Sequence, residues 1–378
     1  MGLIPEVMIT PKTLHSWLTM GYGVDTFGYN RMVVLAVDST DGYRRGHVPG
    51  AYLLEDGPAD LWSTRSNGIS VDAFQVPTRA QMDALIRRTN IDTDAIIVIT
   101  GSRMNSIARA YFNFRYWGFP RQQLKVLNGT NATYAAAGSA LQTDNPAVPE
   151  PCQYSVCRTK GLSSFSAVRA SVTEMLSVAE DNNPSTIIID SRPPAAYAGN
   201  PGGTLLNKDQ NEYVAFEGHI RTAVNIDYKT LLSGQSNTNP LLPKEELLGA
   251  LNKLDINGNR ATFVYGSSGE GDAVLFLVLD AVLNWPVKLY DGGWSQWGQL
   301  AGNSPEVGGM LQEDSPWRTD SAARSEVISY NKSFGFDVAT GGTFNSYAQE
   351  GDAINRLDLE ACGKTEEHLR TGPIAPGY

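Results

Sequence analysis

The sequence predicts an α/β chain of two successive units, each a parallel sheet flanked by helices, followed by a C-terminal extension. Three observations lead there. The chain has 378 residues, too many for one ordinary core and suited to two domains of about 150 residues. Short apolar runs alternate with stretches of helical period through both halves, the order that builds parallel sheets with helices on their faces. One local pattern also occurs twice: Val33 to Val37 ends in Asp38-Ser39 and leads to Gly46-His47-Val48, and Ile187 to Ile189 ends in Asp190-Ser191-Arg192 and leads to Gly218-His219-Ile220.

The elements follow in parallel series. In the first half the apolar runs read as strands over 32–37, 95–100 and 123–127, separated by helices over 79–89 and 106–117. In the second half a helix over 171–179 precedes a strand over 186–190, and a strand over 261–265, a helix over 272–283 and a strand over 287–290 complete the set. Both series close on a glycine turn before an aromatic helix start, Leu127-Asn128-Gly129 in one and Tyr290-Asp291-Gly292-Gly293-Trp294 in the other. Domain bounds of 1–145 and 161–302 result. The linker, 146–160, carries Pro146, Pro149 and Pro151 and reads as extended. Beyond 303 the repeat stops, and the tail to 378 is rich in Gly, Ser, Asp and Glu. It wraps the domains, docks a protein partner or stays disordered; composition leaves all three open.

Bulk composition excludes several classes. Hydrophobic content of 42% with 19% charged residues marks a foldable globular chain. The longest apolar stretch, 273–287, is broken by Asp280, Asn284 and Pro286, so no transmembrane segment is expected. A net charge of -10 argues against nucleic acid as a partner. Cys152, Cys157 and Cys362 are too few for a disulfide scaffold and lie in no zinc-like spacing, so neither a metal nor a cofactor is expected. Cys152 and Cys157 form a small-loop disulfide or stay as two thiols. No charged stretch followed by an apolar run opens the sequence, yet the excess of Arg over Lys, with much Asn, Ser, Thr and Gly, leans toward an exported protein, periplasmic or extracellular. Asn128, Asn131 and Asn331 open Asn-X-Ser/Thr triplets of the kind that occur by chance.

Asp190-Ser191-Arg192, Gly218-His219-Ile220-Arg221 and the run from Lys288 to Trp297 together resemble the rhodanese (thiosulfate sulfurtransferase) family in its tandem two-domain form. The resemblance covers about 145 residues of the second half and implies two rhodanese-like domains, the first diverged. It also implies a cysteine in the loop after the third strand, where a thiolate accepts sulfane sulfur and loop amides stabilise the anion. This chain reads Tyr265-Gly266-Ser267-Ser268-Gly269-Glu270-Gly271-Asp272 there, so the nucleophile's place falls on Gly266. The donor-binding Arg of the family falls on Ala196, and in the first half the cysteine position falls on Thr100.

These losses make a catalytically degenerate rhodanese-like protein the favoured function: a binding or accessory module, with a place in an exported redox or chalcogen-handling system as one form of it. Ser267 and Ser268 lack a nearby base in sequence. Glu270 and Asp272 oppose binding of another anion unless Arg192 or Arg221 offsets them, and Arg103, at a helix start, is a further candidate for a small anion. Asp190 and His219, like Asp38 and His47, read as turn anchors at the edge of the same site. The alternative is an active sulfurtransferase whose thiol comes from outside the loop, Cys362 being the supplier, with Lys364 and His368 as its basic neighbours.

Overall fold

Continuous β-branched and aliphatic runs have no polar face to turn to water, so they form strands covered on both sides. The computed structural model, which describes residues 6–22, 28–66, 71–159, 165–181, 183–199, 218–301 and 353–363, arranges them in two parallel sheets. In chain order the first half holds β1 (Met8–Ile9), α1 (Pro11–Met20), β2 (Arg31–Asp38), α2 (Thr40–Arg45), β3 (Tyr52–Glu55), the pair β4 (Ser63–Ser66) and β5 (Val71–Gln75), α3 (Arg79–Arg88), β6 (Ala95–Gly101), α4 (Met104–Tyr116), β7 (Leu124–Leu127) and α5 (Asn131–Ala136). The second half holds α6 (Phe165–Val168), α7 (Val172–Asp181), β8 (Thr186–Asp190), α8 (Pro194–Tyr197), β9 (Val224–Asn225), α9 (Lys244–Asn252), β10 (Ala261–Tyr265), α10 (Gly271–Leu277), β11 (Val287–Tyr290) and α11 (Gly293–Ala301). A last helix, α12 (Ala353–Ala361), belongs to the extension.

The sheets repeat one topology. Their orders are β1-β7-β6-β2-β3 and β11-β10-β8-β9, and a parallel bridge from Arg169 to Leu289 occupies in the second sheet the place that β1 takes beside β7 in the first. The turns repeat as well. His47 stacks on Tyr43 at 3.7 Å between ring centroids and donates from Nδ1 to the Tyr43 carbonyl at 2.8 Å; His219 stacks on Tyr197 at 3.8 Å and donates from Nδ1 to the Tyr197 carbonyl at 2.8 Å. Each histidine thereby locks the turn that follows the Asp-Ser strand end.

Two departures from the sequence reading concern helices. Residues 272–283 are not one α-helix: α10 passes into a π-helical turn at Val278–Val282. And α4 is buried along almost its whole length, Arg109 included, because its outer face packs on the second domain rather than on water. There Phe112 meets the Phe276 ring edge-on at 5.1 Å, and one apolar cluster runs from Val33 and Ile97 through Phe112 to Phe276 and Val264. The linker is also less free than its prolines suggest, since the Val156 N–H donates to Asp83 on α3 and the Cys152 thiol to the Ile91 carbonyl. Among the described residues no helix is long and apolar enough to cross a membrane, and no group of three His, Cys, Asp or Glu residues is placed to hold a metal. Residues 302–352 and from 364 on, with Asn331, Lys364 and His368, lie outside the described part.

Because the interface is core rather than surface, Phe276→Ala leaves a cavity shared by both halves. We expect it to lower stability by about 3–5 kcal/mol. Urea titration followed by tryptophan fluorescence and by far-ultraviolet circular dichroism should show one shifted transition with both probes; two separated transitions would show that the halves unfold independently.

Candidate functional site

The loop that would carry the nucleophile runs from Gly266 to Gly271, between β10 and α10, and the chain closes over it from three sides. From the C-terminal side comes the start of α11: the N–H groups of Trp294 and Ser295 donate to the carbonyls of Gly266 and Ser267 at 2.8 and 3.0 Å, and the Ser295 hydroxyl donates to the Ser267 carbonyl at 2.7 Å. This approach requires Gly293, whose φ is 56° and whose Cβ, were there one, would lie 2.6 Å from the Ser267 carbonyl oxygen. The Gly-Gly-Trp segment is thus the lid of the loop. Below Gly271 lies the ring of Tyr228, so close that a Cβ at Gly271 would meet it at 2.6 Å.

The third side is the first domain. Arg109 of α4 donates to the Gly269 carbonyl at 3.0 Å, and a Cβ at Gly269 would meet its guanidinium at 2.1 Å. Arg109 also donates to the Phe74 carbonyl and faces Asp291 at 3.4 Å, while Asn105 donates to Glu270 at 3.3 Å. Asp291 is fully buried. It accepts from Arg169 at 2.7 Å and from the Val76 N–H at 2.9 Å, and Arg169 in turn bonds Gln75 and Asn355. Burial pulls the Arg109 guanidinium below its ordinary value, and the neighbouring carboxylates of Asp291, Asp272 and Glu270 oppose that pull.

Around the vacant cysteine position the side chains are specific. A Cβ on Gly266 would lie 2.8 Å from the Ser191 hydroxyl and 3.2 Å from the Asp272 carboxyl. Neither of these groups has a hydrogen-bond partner in another residue. Burial pushes the Asp272 carboxyl up to about 7, with Arg109 as the main opposing influence. Burial likewise raises Glu270, seconded by Asp56 and opposed by Arg103 and Arg109.

The other expected site residues are placed as follows. Arg192 is buried and forked onto Asp190, with Nε–Oδ1 at 3.0 Å and Nη2–Oδ2 at 2.6 Å, and it lies over the Trp294 ring at 4.6 Å. Asp190 further accepts from the Tyr265 hydroxyl at 2.6 Å. Arg192 is therefore neutralised by its partner and does not offset the acids of the loop. Arg221 is half-buried and makes no contact with the loop among the described residues. Arg103 pairs with Asp56 at 2.6 Å, which leaves it engaged rather than open to an anion. Ser267 and Ser268 lie on the loop without a histidine beside them, His219 being held at the Tyr197 turn.

Two expectations are corrected. Cys362 is bonded to Cys157, 205 residues away, so it offers no free thiol here, and Cys157 does not pair with Cys152, which is free. Thr100 does not occupy a loop position: it pairs in register with Ala36 inside the first sheet and donates its hydroxyl to the Leu35 carbonyl, and α4 starts only three residues after Gly101. The first domain thus has no loop comparable to Gly266–Gly271. Sequence reasoning missed Arg109, Arg169 and Asp291. The one available signal was an Arg inside the otherwise apolar run Ile107 to Phe112.

The Asp272 carboxyl yields a pH dependence of known sign. Unfolded, it titrates near 3.8; folded, near 7. Between those values the native state keeps a proton that the unfolded state has released, so this group's contribution is complete below the lower value and is lost as pH rises toward the upper one. The full difference is worth up to about 4 kcal/mol. Asp272→Asn removes the cost. In urea titrations it should match the parent near pH 4 and exceed it by roughly 1–3 kcal/mol at pH 8; equal stability at pH 8 would rule the account out.

Residues 171–300 match the family described as Rhodanese-like domain. Relatives cover more of the chain. The sulfur carrier protein TtuD of Thermus thermophilus is 28% identical over 263 residues, 69% of this chain and 85% of its own length, and a putative thiosulfate sulfurtransferase of Haloferax volcanii is 25% identical over 280 residues, 74% of this chain and 89% of its own. Among solved structures, Tum1 of Saccharomyces cerevisiae aligns with a TM-score of 0.60 at 18% identity, over 79% of this chain and 96% of its own. The anaerobic ergothioneine biosynthesis enzyme of Chlorobium limicola aligns at 0.57 and 17%, over 77% of this chain and 68% of its own. With the repeated sheets, the locked Asp-Ser and Gly-His turns and these likenesses together, residues 171–300 are a rhodanese-like domain, and the chain as a whole is similar to rhodanese-like sulfurtransferases and sulfur carriers.

Proposed function

We propose that this chain is a catalytically degenerate rhodanese-like protein that acts as a binding or accessory module, with domains at 1–145 and 161–302, a linker at 146–160 and an extension from 303. The observation that carries the reading is the pair Gly266 and Asp272. A loop that stabilises a persulfide is an anion site: its amides and the start of the following helix favour negative charge. A carboxyl in such a site would be held low. Here the carboxyl beside the cysteine position has no partner from the loop and is pushed up to about 7, which is the behaviour of an acid in an ordinary buried environment.

The rest of the geometry supports the same reading. The carbonyls of Gly266 and Ser267 are bonded by α11, the flank of the loop is covered by Arg109, and Arg192 is neutralised by Asp190. Ala196 is buried where the family would place its donor-binding Arg. Export to a compartment of redox or chalcogen chemistry accords with the Cys157–Cys362 bond, since disulfides persist where the surroundings oxidise.

The test is an assay with thiosulfate and cyanide, run beside a search for protein persulfide by mass spectrometry. The parent protein should form no thiocyanate above the uncatalysed rate. Gly266→Cys should take no persulfide, because the new side chain meets the Ser191 hydroxyl and the Asp272 carboxyl in a loop with no anion cradle. Turnover by the parent, or a stable persulfide on Gly266→Cys, would refute the degenerate reading.

A further inference from the structure

The described part of the extension, residues 353–363, lies against the body of the protein. Helix α12 lies against β4 and α6, with Ile354 and Leu359 buried and two polar residues inserted at the seam between the domains. Asp358 is forked onto Arg65 at 2.7 and 2.8 Å and accepts from the Tyr116 hydroxyl at 2.6 Å, while Asn355 accepts from Arg169 at 3.0 Å. One residue beyond the helix, Cys362 is bonded to Cys157 in the short 3-10 turn Val156–Arg158 within the linker.

These contacts are unequal. A nine-residue helix is not stable by itself in water, and it buries few apolar side chains. Its ion pair with Arg65 is largely buried, so desolvation offsets much of the attraction. The disulfide is the one covalent link between α12 and the body among the described residues, and such a link keeps a docked element at high local concentration. Cys157 and Cys362 are each half-buried residues rather than fully buried ones, the setting in which a disulfide is open to exchange with a small dithiol. Reduction needs one co-reactant, a dithiol. Its first thiolate attacks one sulfur to give a mixed disulfide and release the other cysteine, its second thiol resolves that bond, and the reductant leaves as its own disulfide with Cys157 and Cys362 both reduced.

We propose that the Cys157–Cys362 disulfide is a redox latch: when closed it holds α12 in the interdomain seam, and when a dithiol opens it α12 undocks and the loop Gly266–Gly271 loosens with it. The loop responds because Asn355 of α12 bonds Arg169, Arg169 bonds Asp291, Asp291 faces Arg109, and Arg109 bonds the Gly269 carbonyl. Removing Asn355 frees Arg169 to move and leaves Asp291 with a less fixed partner. The inference does not depend on whether the loop is catalytically silent, since it concerns the order of the loop and not its chemistry.

Hydrogen–deuterium exchange on the full chain, oxidised and after mild treatment with dithiothreitol, tests it. On reduction, exchange in 353–361 should rise by about tenfold or more and exchange in 266–271 by a smaller factor, with β6 and β10 unchanged. Helix exchange that stays the same overturns the latch, loop exchange that stays the same while the helix opens overturns the coupling, and global loss of protection shows a stabilising staple instead. Asp358→Asn, kept oxidised, separates the disulfide from the ion pair: the helix should remain protected to within about threefold. Release in that variant without reduction would assign the hold to Arg65 and Asp358, against the proposal.

Discussion

Asp291 is where the two halves, the loop and the extension meet. Its carboxylate is fully buried and takes Arg169 on one oxygen and Arg109 with the Val76 N–H on the other. A buried charge is tolerable only when its partners are complete, because the hydration it gives up must be replaced by hydrogen bonds and opposite charge. Each partner therefore comes from a different part of the chain: Arg109 from α4, Val76 from the end of β5, Arg169 from the lead into α7. The network adds little net stability against an apolar packing of the same volume. What it supplies is register, since only one docking of α4 on the second domain lets both guanidinium groups reach the same carboxylate.

That docking has a consequence for the loop. The segments that follow β6 and β10 face each other: Asn105 and Arg109 of α4 touch Glu270 and Gly269 of the loop, and the Met104 N–H donates to the Asn237 carbonyl. The glycine at 266, the buried carboxyl of Asp272 and the coverage by α4 go together physically, because a loop packed against a second domain is shielded from water, and a shielded carboxyl favours its neutral form.

Much of this fold was legible in the sequence for a simple reason. Strands covered on both faces must be continuous apolar runs, and β8, β10 and β11 fall on the runs that periodicity marks, residue for residue. Duplication helped further, since each half served as a reading of the other. The site was legible in part. Gly266 and Asp272 stand out because one residue type replaces another at a known place in a pattern, whereas Arg109 and Asp291 are 182 residues apart and carry no mark of their pairing until the domains dock. The same holds for Cys157 and Cys362, for which sequence proximity pointed to Cys152 instead. Helix α4 misled for a related reason: an amphipathic period predicts which side faces the sheet, but not that a second domain covers the other.

The two histidine turns are a closely repeated feature of the duplicated plan. His47 and His219 keep the same stacking and the same Nδ1 bond in domains whose loops no longer resemble each other, because these contacts hold the chain reversal that follows the central strand, and the sheet cannot close without it. The Asp-Ser strand ends have diverged more. Asp38 accepts from the Ser39 N–H, and Ser39 caps α2, whereas Asp190 accepts from the Arg192 N–H and binds its guanidinium, and the Ser191 hydroxyl is left facing Gly266. The contacts that complete the backbone's own hydrogen bonds therefore recur in both halves, while the side chains that follow each Asp-Ser strand end differ.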